Sequence, residues 1–185
     1  MNYIVTGLIC SGKSTLLNIA MEYGFSTLKS DDVVSILYND KFIISKLKST
    51  FKEYRFEDNP KETIKQLFYK SESYRTKIEN IFHPRVHEII ENKLESNKNI
   101  LIELPVLKNN MNIIKNNRSI FIDVSLEVRR KRFQKRDTNN AIDHFNKMNE
   151  YQADGLLIET YYDIIINNTN ENLMSEYFKT EIIKS

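Results

Sequence analysis

One cysteine, Cys10, is all this 185-residue chain carries, so an internal disulfide is excluded and a reducing compartment, the cytoplasm, is the expected location. No apolar run approaches the roughly 18 residues of a membrane span. The opening Met1-Asn2-Tyr3-Ile4-Val5-Thr6-Gly7 has neither the basic start nor the apolar core of a signal peptide. No excess of one charge is present: 27 basic against 25 acidic residues leave a net +2, which speaks against a nucleic-acid or membrane-surface partner. Glycine is scarce, with four in the whole chain. No internal repeat or low-complexity linker is evident, so one domain is expected over 1–185.

What is present is an alternation of strand and helix signals. Tyr3 to Thr6, Phe25 to Leu28, Asn99 to Leu104, Ser119 to Val124 and Asp163 to Ile166 read as strands. Leu16, Leu17, Ile19 and Ala20 suit a helix stopped by Gly24, and Val33 to Leu37 open another. Lys61–Phe68, Tyr74–Phe82 and Val86–Leu94 show helical spacing with no strand signal between 40 and 96. Pro84 suits the first position of a helix, which makes His83 a cap-region residue. Ser125 is the expected cap of the helix after the fourth strand, with Glu127 in its first turn. A last helix is expected from about Asn170. The expected fold is α/β: a five-stranded, mainly parallel sheet flanked by helices, interrupted by a helical insertion.

Two of the four glycines fall in Gly7-Leu8-Ile9-Cys10-Ser11-Gly12-Lys13-Ser14, a full match to G-x4-G-K-[ST]. A chance match in a chain of this length is on the order of 1 in 10². The glycines let backbone amides wrap phosphate oxygens at a helix N-terminus. Lys13 is placed for the β- and γ-phosphates of ATP, and the Ser14 hydroxyl for Mg²⁺, with Thr15 following in the helix. Cys10 in this loop reads either as a small packing residue or as a thiol of lowered pKa. Neither N-K-x-D nor L-S-G-G-Q occurs, which disfavours GTPases and transporter ATPases.

Asp31, just past the second strand, lies where ligands gather in such sheets. It suits a general base for an acceptor hydroxyl, or a helix cap with Asp32. Arg129, Arg132 and Arg136 share one helix face and suit a lid over ATP, or a solvated basic face. His83 and His87 are four apart, yet they lack the glutamate and cysteine context of a zinc site.

With these residues in place, the chain resembles the dephospho-CoA kinase family of P-loop kinases. Phe82-His83-Pro84-Arg85-Val86 resembles its acceptor-side His-Pro segment. Ile120 to Val124 with Arg132 and Arg136-Asp137 resembles its strand and lid. Asp163 to Asn168 resembles its last strand and adenine-side loop. The resemblance implies transfer of the ATP γ-phosphoryl to the 3′-hydroxyl of dephospho-CoA. In that reading Asp31 is the base and Lys13 and Arg136 stabilise the transferring group. Residues 7 to 15, Arg132 and Asn167 bind ATP, and His83 and Pro105 lie on the acceptor side. It also implies a core at about 1–36, 97–134 and 160–185, an acceptor-binding insertion at about 37–96 and a lid at about 135–159; a monomer is favoured. Departures cluster on the acceptor side. Lys29 replaces the first aspartate of Asp-x-Asp, Asn59-Pro60 replace an acidic-arginine pair, and Lys108-Asn109 follow Pro105 without the family's glutamate. Glu103 is a candidate carboxylate nearby, and Gln152 loosely matches the lid's glutamine helix. These departures keep a related nucleotide or nucleoside kinase, or an ATP-binding module without catalysis, as alternatives.

Overall fold

The computed structural model describes residues 1–56, 59–105, 108–136, 142–153, 162–168 and 171–183. These fall into two compact units, Met1–Leu28 with Ser96–Ser185, and Lys29–Glu95.

The first unit is built on a sheet. Its strands are β1 (Asn2–Thr6), β2 (Ser26–Lys29), β3 (Ile100–Glu103), β4 (Ser119–Asp123) and β5 (Ile164–Asn167), in the order β2-β3-β1-β4-β5. β1 pairs in parallel with β3 and β4, and β4 with β5. Tyr3, Ile4, Val5 and Thr6 are all buried, as are Leu101, Ile102, Ile120 and Ile122. Continuous apolar runs of this kind mark strands covered on both faces. Because β1 is central and its two neighbours come later in the chain, the carboxyl end of β1 is a switch point where α/β sheets bind ligands.

Helix α1 (Lys13–Glu22) buries Leu16, Leu17 and Ala20 against the sheet core. It stops as expected at Gly24, whose φ of 81° is left-handed. Gly24 N–H donates to Met21 O at 3.0 Å and Phe25 N–H to Ala20 O at 3.1 Å, which closes a Schellman motif. α6 (Met111–Asn116), α7 (Leu126–Arg136) and α8 (Ile142–Ala153) follow β3 and β4. Ser125 takes the expected capping role for α7, its carbonyl accepting from Arg129 N–H at 3.1 Å. The last helix, α9 (Glu171–Tyr177), loosens into a π-helical turn over Phe178–Ile183. Met174, Phe178 and Ile182 are all fully buried in the sheet core.

The second unit is helical: α2 (Ser30–Leu37), α3 (Lys41–Thr50), α4 (Pro60–Lys70) and α5 (Glu72–Ser96). Asp40 caps α3, its carboxylate accepting from Phe42 N–H at 2.8 Å and Ile43 N–H at 3.0 Å. Asn59 caps α4 through Glu62 N–H at 3.2 Å, with Pro60 in the first turn. The Asn59-Pro60 departure therefore has a local structural use. The expected helix start at Pro84 is corrected. α5 runs unbroken from Glu72 to Ser96 with Pro84 inside it, so His83 is mid-helix and not a cap. An interior proline costs about 3 kcal/mol. Ile78, Phe82, Val86, Ile90 and Leu94 are nevertheless buried at a constant spacing of four on both sides of it. At roughly 1.5–3 kcal/mol per buried side chain, that stripe outweighs the proline.

Candidate active site

The phosphate loop leaves the carboxyl end of β1. Gly7 has φ 146°, and a Cβ there would stand 2.7 Å from Ile122 O and from Ser11 Oγ. Gly12 has φ 108°, and a Cβ would stand 2.3 Å from Asn168 Nδ2. Neither position tolerates a side chain, so these two glycines are dictated by packing as well as by φ. Cys10, with φ 60°, takes the left-handed conformation without being glycine. α1 begins with no side-chain cap and no acidic residue in its first turn. Its N-terminal amides and dipole are therefore left for an anion.

Three charged or hydroxylic side chains meet at the loop. Lys13 is buried, and its Nζ donates to Gly7 O at 3.0 Å and Leu8 O at 3.2 Å. Glu103 Oε1 lies 3.9 Å from that ammonium. Ser14 Oγ donates to Glu103 Oε2 at 3.1 Å. The parallel register sets Glu103 opposite Val5, one strand over from the start of the loop. A hydroxyl beside a carboxylate is a hard-oxygen donor set of the kind magnesium takes.

The outer side of the loop is held by the α7–α8 hairpin. Arg129 is buried, which pushes its guanidinium pKa down, yet it is well partnered. It donates to Val124 O at 3.0 Å, Asn149 Oδ1 at 2.6 Å and Ile9 O at 3.5 Å. Arg132 donates to Ser11 O at 3.1 Å, Cys10 O at 3.5 Å and Asn168 O at 3.0 Å. A solvated basic face is thus ruled out for these two residues. Arg136 is exposed at the end of α7. Its charge is nonetheless the strongest cationic influence on the Cys10 thiol. Burial still wins there: the Cys10 pKa is raised although Arg136, Lys13, Arg129 and Arg132 all act to lower it. Of the two readings of Cys10, this favours the packing residue over the activated thiol.

Sequence reasoning gives neither Asn168 nor Gln152 a role in holding the loop, although Gln152 matches the lid's glutamine helix loosely. Asn168 is buried and donates from Nδ2 to Ser11 O at 2.7 Å, whereas Asn167 is exposed on β5. Strand alternation carries the signal, since Ile166 and Asn168 share the inward face. Gln152 is buried, and its Oε1 accepts from Ile9 N–H at 2.6 Å. Pro105 O accepts from Asn110 Nδ2 at 2.9 Å, which ties the end of β3 to the start of α6. Thr15 is half-buried in the first turn of α1. Asp137, Thr138, Asn139 and Asn140, with Val106 and Leu107, lie outside the described residues.

Asp31 and His83 belong to the helical unit. Asp31 is exposed in the first turn of α2, whose N-cap position is Lys29 and which has no side-chain cap. The capping alternative for Asp31 and Asp32 is therefore set aside. Burial, and then the charge of Asp31, push the Tyr38 phenol pKa up. His83 is partly buried with an unpartnered Nδ1, its ring 5.6 Å from that of His87. Burial, and then His87, bring its pKa down to about 4. Among the described residues, no group of three or more His, Cys, Asp or Glu side chains is arranged to hold a metal ion. No described helix is long and apolar enough to cross a membrane.

Comparison with known proteins gives the same direction along the whole chain. A family model for dephospho-CoA kinase matches residues 3–173. The dephospho-CoA kinase of Buchnera aphidicola is 29% identical over 181 residues, covering 94% of this chain and 86% of that protein. That of Mannheimia succiniciproducens is 25% identical over 179 residues, covering 92% and 83%. In fold, the dephospho-CoA kinase of Campylobacter jejuni aligns with a TM-score of 0.65 at 23% identity, over 99% of this chain and 97% of that one. Shikimate kinase of Aquifex aeolicus aligns with a TM-score of 0.54 at 18% identity, over 97% and 94%. With a P-loop kinase sheet, a complete phosphate loop and a family match that spans nearly its full length, the chain belongs to the dephospho-CoA kinase family, a family of kinases.

Proposed function

We propose that this chain transfers the γ-phosphoryl group of ATP to the 3′-hydroxyl of dephospho-CoA, giving coenzyme A in the cytoplasm. The observation that carries the reading is the pairing of the family match with a loop whose Lys13, Ser14 and Glu103 meet at the end of β1. ATP is the co-substrate that membership of a kinase family implies. The loop amides and the uncapped start of α1 bind its phosphates. Lys13 exchanges its loop carbonyls for phosphate oxygens, and Arg136 neutralises charge on the transferring group. Arg132, committed to loop carbonyls, supports that geometry from behind. Ser14, with Glu103 beside it, would hold Mg²⁺, which would supply positive charge to offset that of the phosphates.

On the acceptor side, Asp31 takes the proton of the attacking hydroxyl. Its support is its spacing from the phosphate loop in the sequence. His83 and Pro105 contribute to acceptor binding, with the helical insertion holding the acceptor. The departures at Lys29, Asn59-Pro60 and Lys108-Asn109 make the acceptor the quantity to test.

The test is ADP release by the purified protein with MgATP and three acceptor classes: dephospho-CoA, nucleoside monophosphates and nucleosides. Release that depends on dephospho-CoA alone is the expected result. Release with a nucleotide or nucleoside alone would replace the proposal with the related-kinase reading. ATP binding with no turnover on any acceptor would leave only a binding module.

A further inference from the structure

A loop that turns its amides inward to an anion must turn carbonyls outward, and each buried outward group needs a partner. Here the outward carbonyls of Ile9, Cys10 and Ser11 are met by Arg129 and Arg132 of α7. Ile9 differs in that its N–H also faces the hairpin, where Gln152 Oε1 accepts it at 2.6 Å across 143 residues of sequence. Asn149, three residues before Gln152 on α8, fixes the same Arg129 that reaches Ile9 O. Both backbone groups of one loop residue are therefore gripped by the α7–α8 hairpin. Gln152 and Arg129 are each at least nine-tenths buried, at 6% and 4% exposure, so water does not compete freely for these bonds.

We propose that Gln152 is a positioning residue for the phosphate loop: by holding the Ile9 amide it fixes the loop in its anion-binding shape before nucleotide arrives. The nucleotide arm of this inference rests on the reading of the loop as an ATP site; the loop-shape arm does not. Cys10, next in sequence to Ile9, is the chain's only thiol and reports on the loop directly.

The experiment compares wild-type protein with Gln152→Leu, Gln152→Asn and Gln152→Glu. Cys10 alkylation by iodoacetamide without nucleotide and MgATP affinity by calorimetry are measured for each. Leu removes the acceptor, and Asn draws it back by one methylene and guards against a Leu variant that fails to fold. Both should alkylate faster and bind MgATP more weakly, each by on the order of tenfold, the loss of one buried hydrogen bond. Glu keeps an acceptor oxygen, so it should restore the wild-type alkylation rate. Unchanged alkylation and unchanged affinity in Leu and Asn would overturn the proposal. Tighter MgATP binding would overturn it too, showing Gln152 to be a plug in the site. If wild type binds no nucleotide, the ATP reading fails while the alkylation arm still decides whether Gln152 holds the loop.

Discussion

The sheet unit and the helical unit treat polar side chains in opposite ways. Around the phosphate loop, Ser11, Lys13, Arg129, Gln152 and Asn168 are all buried. Four of them each bond at least one backbone group of the loop, reached from as far as 157 residues away for Asn168. Within Lys29–Glu95, Ser30 is the only buried polar side chain among the described residues. Side-chain hydrogen bonds there are mostly local, such as the Asp40 and Asn59 caps. Burying polar groups is costly unless every one is paired, so a buried polar network marks where fixed geometry matters. The backbone of the loop is tied to distant side chains by this network. Among the described residues, no comparable set of buried polar side chains accompanies Asp31 and His83, the two candidates of the helical unit.

The largest effect should come from the less supported side, and would sharpen the contrast between holding a nucleotide and reacting with it. Asp31→Asn is expected to lower kcat by about 10²- to 10⁴-fold, the scale of a lost general base, with MgATP affinity unchanged. Near-normal turnover would remove Asp31 from the mechanism and leave the helical unit without an identified catalytic group.

Glu103→Gln tests the sheet unit. The variant keeps an acceptor for the Ser14 hydroxyl but loses the charge. The Mg²⁺ concentration for half-maximal activity should rise on the order of tenfold, as for a lost partner of a metal ligand. An unchanged magnesium dependence would show that Glu103 serves only Lys13 and Ser14 in the protein itself.

A smaller effect concerns pH and the helical unit. His83 titrates at about 4 in the folded chain, below its ordinary 6.5. Between those values the unfolded chain binds more protons, so this residue's contribution is present above pH 6.5 and is lost as pH falls toward 4. His83→Gln should make the drop in urea midpoint between pH 7 and pH 5 shallower than in wild type. An equally steep drop would assign the pH dependence elsewhere.

The smallest effect is at Cys10. A non-glycine residue in the left-handed region costs roughly 1–2 kcal/mol, against about 0.5–1 kcal/mol for the extra freedom of glycine when unfolded. Cys10→Gly should therefore raise the thermal midpoint slightly, and a lowered midpoint would mean that the thiol's packing outweighs the backbone strain.

The features legible in the sequence are those carried by neighbours along the chain. The strand-loop-helix around Gly7 to Ser14, the Gly24 stop and the arginine face of α7 all follow from short-range spacing. The loop-holding role of Asn168 is not legible, because it and Asn167 look alike until the strand's inward face is known. Pro84 misled because a proline is a local signal, while the stripe from Ile78 to Leu94 that overrides it is paid for by tertiary burial.

The sequence by itself determined that this protein has a phosphate loop between a strand and a helix, because glycine φ and helix polarity act over only a few residues. The tertiary structure alone decided which side chains hold that loop. Glu103 reaches Ser14 through the register of β3 on β1. Gln152 and Asn168 reach Ile9 and Ser11 only once α8 and β5 are packed in place. Hydrogen bonds last for a few ångströms in space, and no spacing along the chain records which distant residues folding will bring within that range.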